Sequence, residues 1–221
     1  MTRSLRIALI ASAICLPALA QFTPIPQPVA SYTSGTNLIS LVGSNGASVT
    51  SVTDGIQTVT LSQAMSLETV PGGGWATWGS PPNTESSTPR VLAIFNNATI
   101  SFALSRPSYI FGFEIEPEDF GNFNVTATFM NGTNVLGSVT RLVNGQAGAL
   151  LSAASSGQPI TSVVVSTDSG ANGFAVAEIR YSLMSVSVPT LNTTSLFSLG
   201  ALLLAIGVML ARRSQRQVPT L

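Results

Sequence analysis

Apolar and polar residues alternate with a period of two along much of the chain from residue 36 to residue 184. In one such run, Ile100, Phe102 and Leu104 alternate with small or polar neighbours. This alternation predicts a strand with one face in a core and the other face in water. Similar patterns predict further strands at residues 57–61, 91–95, 111–116, 123–130, 135–142, 160–166 and 174–182.

Turn-forming dipeptides separate these runs and help to define the fold class. Asn131-Gly132 lies between two predicted strands and Asn144-Gly145 ends the next one, as expected of hairpin turns. Only residues 147–155 suggest a short turn of helix. Many short strands joined by Gly- and Pro-containing turns predict an all-β domain, an antiparallel β-sandwich of jelly-roll-like type, over residues 36–184. We expect Phe113 and Phe129 to lie in its core.

The stretch before this domain, residues 21–35, begins with prolines at alternate positions. Pro24, Pro26 and Pro28 each fix the backbone φ angle and lack an amide hydrogen. They predict an extended lead-in, which is either a linker or the start of an edge strand.

A basic region, an apolar stretch and a pair of small residues follow one another at the start of the chain. This order predicts a secretory signal peptide over residues 1–20. The residues that carry it are the basic Arg3 and Arg6, the small Ala18 and Ala20, and Gln21, before which signal peptidase is expected to cut.

A second apolar segment, residues 196–211, contains no charged residue. As a helix it spans roughly 24 Å, close to the ~30 Å hydrocarbon core of a bilayer. Arg212, Arg213 and Arg216 follow at once, and positive charge marks the cytoplasmic side of a span. We therefore expect one transmembrane helix at residues 196–211, a cytoplasmic tail at residues 212–221, and the β domain outside the cell.

A short motif lies between the domain and this segment, in the linker formed by residues 185–195. Val188, Pro189, Thr190 and Leu191, followed by an apolar span and an arginine cluster, resemble the sorting tails of bacterial surface proteins of the IPTL-CTERM type, relatives of PEP-CTERM. The resemblance implies that an exosortase-type transpeptidase cuts near the motif and transfers the protein to the cell surface. Residues 111–132 and 160–182 are similar to the β-sandwich ectodomains of PEP-CTERM-type proteins.

The composition excludes several kinds of chemistry. Among the 221 residues there is no His, no Lys and one Cys, so Ser-His-Asp catalysis, histidine metal ligation and lysine Schiff-base chemistry are ruled out. All nine acidic residues but only four of the nine basic ones lie between residues 21 and 188, which gives this part a net charge of −5. An acidic domain gives no reason to expect a nucleic-acid partner.

Four carboxylates occur close together in the middle of the chain. Glu114 and Glu116 are two apart on one predicted strand, so they share a face roughly 7 Å apart. Glu118 and Asp119 follow directly. Three interpretations are open: a solvated acidic edge that prevents edge-to-edge pairing, a calcium site of hard oxygen donors, or the acid pair of a glycosidase.

Residues 70–82 are dense in Gly and Pro and contain both Trp residues of the chain, Trp75 and Trp78. Exposed on a loop, the two indoles would form a platform for stacking on a sugar. Alternatively, both rings fold back and cover the sandwich core, because a long loop needs buried area to be ordered.

These observations predict a non-enzymatic exported protein of the cell envelope or surface, acting in adhesion or extracellular matrix and needing no cofactor. The alternatives are a carbohydrate-binding module that uses Trp75 and Trp78, and a carboxylate-dependent glycosidase. The expected partners are signal peptidase, an exosortase-type transpeptidase, membrane lipid and extracellular polysaccharide.

Overall fold

The computed structural model describes residues 21–184, most of which form β-strands. The strands are β1 (Gln21–Ile25), β2 (Asn37–Ile39), β3 (Ala47–Thr53), β4 (Thr58–Thr69), β5 (Arg90–Phe95), β6 (Thr99–Ser108), β7 (Ile110–Pro117), β8 (Asn122–Asn131), β9 (Asn134–Asn144), β10 (Ala149–Ser156), β11 (Ile160–Thr167) and β12 (Gly173–Ser182). A short helix, α1 (Ala30–Ser34), and a 3₁₀ turn (Ser169–Ala171) complete the elements.

Several sequence predictions lie outside the described residues. They are the signal peptide with Ala18 and Ala20, the sorting motif Val188, Pro189, Thr190 and Leu191, the apolar segment 196–211, and the arginines Arg212, Arg213 and Arg216. Within residues 21–184, no helix has the length and apolar character needed to cross a bilayer.

The strands pair in the order β1-β10-β7-β12-β5-β4-β6-β11-β8-β9, with β2 added to β12 and β3 added to β4. The pairings between these strands are antiparallel. Strand β4 belongs to both halves of this order, because residues 59–61 pair with β6 and residues 66–68 pair with β5. The predicted all-β antiparallel fold is therefore confirmed.

The two halves of the sheet fold over each other around one hydrophobic core. The Phe102 ring of β6 meets the Phe113 ring of β7 edge to face, with centroids 5.2 Å apart. The Phe22 ring of β1 packs on Phe129 of β8 at 5.5 Å. Phe113 and Phe129 are fully buried, as expected from the sequence.

The structure contradicts one local prediction and decides between the two alternatives of another. Residues 147–155, which were predicted to form a short turn of helix, instead contribute to strand β10. The proline-containing lead-in begins with strand β1, which pairs with β10 along its whole length, and continues into helix α1. The lead-in is thus an edge strand of the sheet, where a proline such as Pro24 is tolerated because one side of the strand makes no ladder hydrogen bonds.

Both predicted turn dipeptides end strands. Gly132 stands in the tight β8–β9 hairpin at φ 57°, a conformation that favours glycine. Gly145 lies beyond β9, where an added Cβ would meet the carbonyl oxygen of Asp119 at 2.0 Å. The glycine therefore lets the β9–β10 turn approach the β7–β8 turn closely.

Candidate functional site

The segment that carries both tryptophans packs against the outer face of one half of the sheet. On that face β5 and β12 present small side chains, including Ala93, Ala175 and Ala177, which leave room for two indoles. Trp75 is 5% exposed and Trp78 is 7% exposed. The structure therefore places both rings in a second, smaller core, and the interpretation of Trp75 and Trp78 as an exposed sugar platform is wrong.

The carboxylates of β7 lie beneath this loop. Glu114 and Glu116 alternate with core residues along the strand, so their side chains leave the main core on the opposite face. Trp78 Nε1 donates to Glu114 Oε2 at 3.1 Å, and Trp75 Nε1 donates to Glu116 Oε1 at 3.0 Å. Each indole thus satisfies its buried N–H on a carboxylate, as a buried tryptophan requires.

Further donors surround both carboxylates. The backbone N–H of Glu85 donates to Glu114 Oε1, and the hydroxyl of Thr77 donates to Glu116 Oε1 at 2.8 Å. Burial raises the pKa of Glu114 to about 8, against the lowering effect of its two N–H donors. Burial also raises the pKa of Glu116, opposed by Thr77, Trp75 and the amide of Gly148.

These positions correct the sequence interpretations of the four carboxylates. Glu114 and Glu116 are 0% and 1% exposed, so they are not a solvated acidic edge, and no substrate reaches them as a glycosidase pair. Glu118 and Asp119 lie past the end of β7 in the following turn. Among the residues that the structure describes, no group of three or more acidic or thiol side chains is arranged to hold a metal ion. The four residues therefore do not form the calcium site considered above.

An ion pair fixes the far end of the same loop. Arg180 on β12 donates through Nε to Glu85 Oε1 at 2.7 Å and through Nη2 to Glu85 Oε2 at 2.6 Å. The Nη1 group of Arg180 also donates to the carbonyl of Thr33, at the end of α1. The guanidinium therefore joins the sheet to both segments that cover its outer face, with the bidentate geometry typical of strong pairs.

The outer face becomes accessible where the tryptophan loop ends. Phe95, the last residue of β5, is 42% exposed, and its ring packs against Trp75 with centroids 6.1 Å apart. Phe120, in the β7–β8 turn, is 65% exposed. Both contribute to a pocket of about 150 Å³, whose other lining residues are Gly74, Trp75, Ala76, Thr77, Glu116 and Glu118.

A second and larger pocket adjoins Phe95. It has a volume of about 380 Å³, and Phe95 is the residue that it shares with the smaller pocket. Its polar lining comes from hydroxyl and amide side chains: Ser48, Gln63, Ser66, Asn96 and Asn97. The two pockets form a candidate binding surface in which an exposed phenyl ring stands between uncharged donors and acceptors on one side and a carboxylate pocket on the other.

Sequence reasoning did not find Phe95 and Phe120. Phe95 ends an apolar run and is directly followed by Asn96-Asn97, whereas Phe120 stands among Glu118, Asp119 and Gly121 in a turn. The signal in the sequence was a large aromatic residue at a turn. Such a residue has no inward-facing strand position to occupy and is therefore expected to be exposed.

No protein-family model and no curated protein matches the sequence. Among solved structures, the chain is similar to the enzymatically active domain of tailspike protein 4 from bacteriophage CBA120, with 18% identity and a TM-score of 0.29 over 68% of this chain and 20% of that one. It is also similar to a carbohydrate-binding module of Cellvibrio mixtus lichenase 5A in complex with cellotriose (12% identity, TM-score 0.30, 54% of this chain and 87% of that one). A third is a family 29 carbohydrate-binding module from Piromyces equi, with 10% identity and a TM-score of 0.30 over 78% of this chain and 97% of that one.

Proposed function

We propose that residues 21–184 form a non-enzymatic carbohydrate-binding domain of an exported cell-envelope protein. The observation that carries the proposal is the surface around Phe95 and Phe120, two exposed phenyl rings beside two pockets that share Phe95 in their linings. A sugar ring has apolar C–H faces that pack on an aromatic ring, and hydroxyls that pair with exposed hydroxyl and amide side chains such as those of Ser48 and Asn96.

Binding fits the geometry better than hydrolysis does. A glycosidase needs two carboxyl groups that flank the scissile bond of a bound substrate. Glu114 and Glu116 are buried and already accept hydrogen bonds from the tryptophan loop, so their role is to hold that loop on the sheet. Glu118 lines the open pocket without a second accessible carboxylate in the same lining.

Substitution of the exposed phenyl rings tests the binding surface. Phe120→Ala and Phe95→Ala should each weaken oligosaccharide binding about tenfold, since one aromatic contact contributes about 0.5–1.5 kcal/mol and about 1.4 kcal/mol corresponds to a factor of ten. Binding of the purified full-length protein to an array of glucans, xylans and amino-sugar polymers measures the effect.

A matched control comes from the opposite end of the β8–β9 hairpin. Val135 is 62% exposed and lines neither pocket, so Val135→Ala should bind like the wild type. All variants should melt within a few degrees of the wild type, because exposed side chains contribute little to stability. Equal binding by wild type and both phenylalanine variants would refute this surface.

The second part of the proposal, export to the cell envelope, concerns the sorting motif at residues 188–191. Pro189→Ala combined with Thr190→Ala should leave membrane insertion intact but stop processing, because a proline holds the preceding residue extended for a peptidase cleft. Full-length precursor should then accumulate in the membrane fraction, detected by immunoblot.

The chain supplies its own control for this experiment. Pro219 and Thr220 belong to a second copy of the same four letters at the end of the sequence, beyond the arginine cluster. Pro219→Ala with Thr220→Ala should be processed normally. If the variant at 189 and 190 is also processed and displayed like the wild type, the motif is not a sorting signal.

A further inference from the structure

We propose that the pocket between Phe95 and Phe120 binds the ammonium group of an amino sugar, so that the domain prefers polymers rich in unacetylated hexosamine. This inference rests on the proposed carbohydrate-binding function and specifies its ligand. It follows from the combination of three aromatic rings and two carboxylates in the lining of one small pocket.

The aromatic residues provide the first part of the argument. Trp75, Phe95 and Phe120 all line the pocket, and the planes of the Trp75 and Phe95 rings are inclined at 42° to each other. The face of an aromatic ring carries partial negative charge and attracts a cation within about 6 Å of its centre. Rings at different inclinations around one cavity suit an ammonium group better than a flat neutral surface does.

The carboxylates provide the second part. Glu116 is almost fully buried, and its Oε1 accepts hydrogen bonds from Trp75 and Thr77. Its Oε2 forms no hydrogen bond of normal geometry within the described residues, although the Gly148 amide is near enough to affect its pKa. This oxygen adds an acceptor to the buried side of the pocket, and the carboxylate of Glu118 adds negative charge to the same lining.

The third part is the absence of opposing charge. None of the four arginines in residues 21–184 lines this pocket. One of them, Arg180, is held by Glu85. A uronic acid or a sulfated sugar would therefore meet like charge without a compensating cation, and like charges in a partly desolvated site repel.

The adjoining pocket favours an amino sugar over other cations as the ligand. A volume of about 150 Å³ is smaller than the ~300–1,000 Å³ of pockets for drug-sized ligands, so it holds one group of a larger molecule. The adjoining pocket of about 380 Å³ offers neutral hydroxyl and amide groups across Phe95. Such a lining complements the hydroxyls of the next sugar in a chain.

Direct comparison of matched oligomers tests this preference. Binding of the full-length protein to hexamers of glucosamine, of N-acetylglucosamine and of glucose is measured by calorimetry. We expect the glucosamine hexamer to bind at least tenfold more tightly than the other two. Glu118→Gln should reduce this preference to threefold or less.

Three further measurements make the result decisive. Asp54→Asn removes one negative charge from the β3–β4 turn, away from both pockets, and should keep the preference. Phe120→Ala should weaken the binding of all three hexamers. This test remains valid even if the Glu118→Gln variant does not fold. Hexalysine should bind more weakly than the glucosamine hexamer, and tighter binding of hexalysine would overturn the inference in favour of a peptide.

The outcomes separate this inference from the proposed function. If the neutral hexamers bind through Phe120 but glucosamine has no advantage, the ammonium pocket is wrong and carbohydrate binding stands. If a uronic-acid hexamer binds more tightly than glucosamine, the charge argument is wrong. If no hexamer binds and the arrays described above are also negative, both proposals fail.

Discussion

Replacing Phe113 or Phe129 with alanine should lower the free energy of unfolding by about 3–5 kcal/mol, the usual cost of removing a buried phenyl ring. Both rings are fully buried. Phe113 packs edge to face on Phe102 and also contacts Phe111, with centroids 6.2 Å apart. Phe129 packs on Phe22 of strand β1. Each ring thus joins the two halves of the folded sheet, and its loss leaves a cavity at their interface.

Urea unfolding followed by circular dichroism measures this loss. Natural domains have a total stability of about 5–15 kcal/mol, so either variant should unfold at a much lower urea concentration or be partly unfolded in buffer. Phe120→Ala is the internal comparison, because the same ring is removed from an exposed turn and should cost less than about 1 kcal/mol. A loss below 1 kcal/mol in both core variants would contradict the packing described here.

The alternation of apolar and polar residues predicted those strands that have one face in solvent and the other in the core. Residues 123–130, for example, correspond to strand β8, Asn122–Asn131, whose outward side carries threonines. Strand β10 escaped detection because Leu150, Leu151, Ser152 and Ala153 are all buried, so that neither face carries the polar residues that create a period of two. A strand covered on both sides cannot be told from a short helix by periodicity alone.

The carboxylates of β7 were misread for a related reason. Glu114 and Glu116 alternate with apolar residues and therefore suggest a solvent face. That face is covered by a loop that lies about forty residues earlier in the chain, and the hydrogen bonds from Trp75 and Trp78 span 41 and 36 residues. Local patterns contain no information on a contact of that range. The two observations that seemed separate in the sequence, paired glutamates and paired tryptophans, are parts of one structure.

This buried pairing predicts that the domain loses stability as the pH rises from about 4.5 to about 8. The pKa of Glu114 is raised to about 8 in the folded state from its ordinary value of 4.5, chiefly by burial and further by the nearby charges of Glu178 and Glu85. Between these pH values the folded protein keeps a proton that the unfolded chain releases, so raising the pH favours unfolding. The raised pKa values of Glu116 and Glu178 act in the same direction.

The effect should amount to roughly a few kcal/mol, since one pKa unit corresponds to about 1.36 kcal/mol. Urea unfolding at pH 5 and at pH 8 measures it. Glu114→Gln cannot titrate, so it should reduce the difference in unfolding free energy between pH 5 and pH 8. Its NH₂ group must face one of two N–H donors, Trp78 Nε1 or the Glu85 amide, so the variant is also less stable at both pH values.

Two variants show whether the proton belongs to Glu114. The Trp78 N–H lowers the pKa of this carboxyl, so Trp78→Phe should move the loss of stability to higher pH in addition to destabilising the loop. Asp54→Asn should leave the difference in unfolding free energy between pH 5 and pH 8 unchanged, because hydrogen bonds hold the pKa of Asp54 below its ordinary value of 3.8. If wild type and Glu114→Gln instead show the same pH dependence, Glu114 is ionised beneath the loop. The tryptophan loop would then be held on the sheet by a buried anion and its N–H donors.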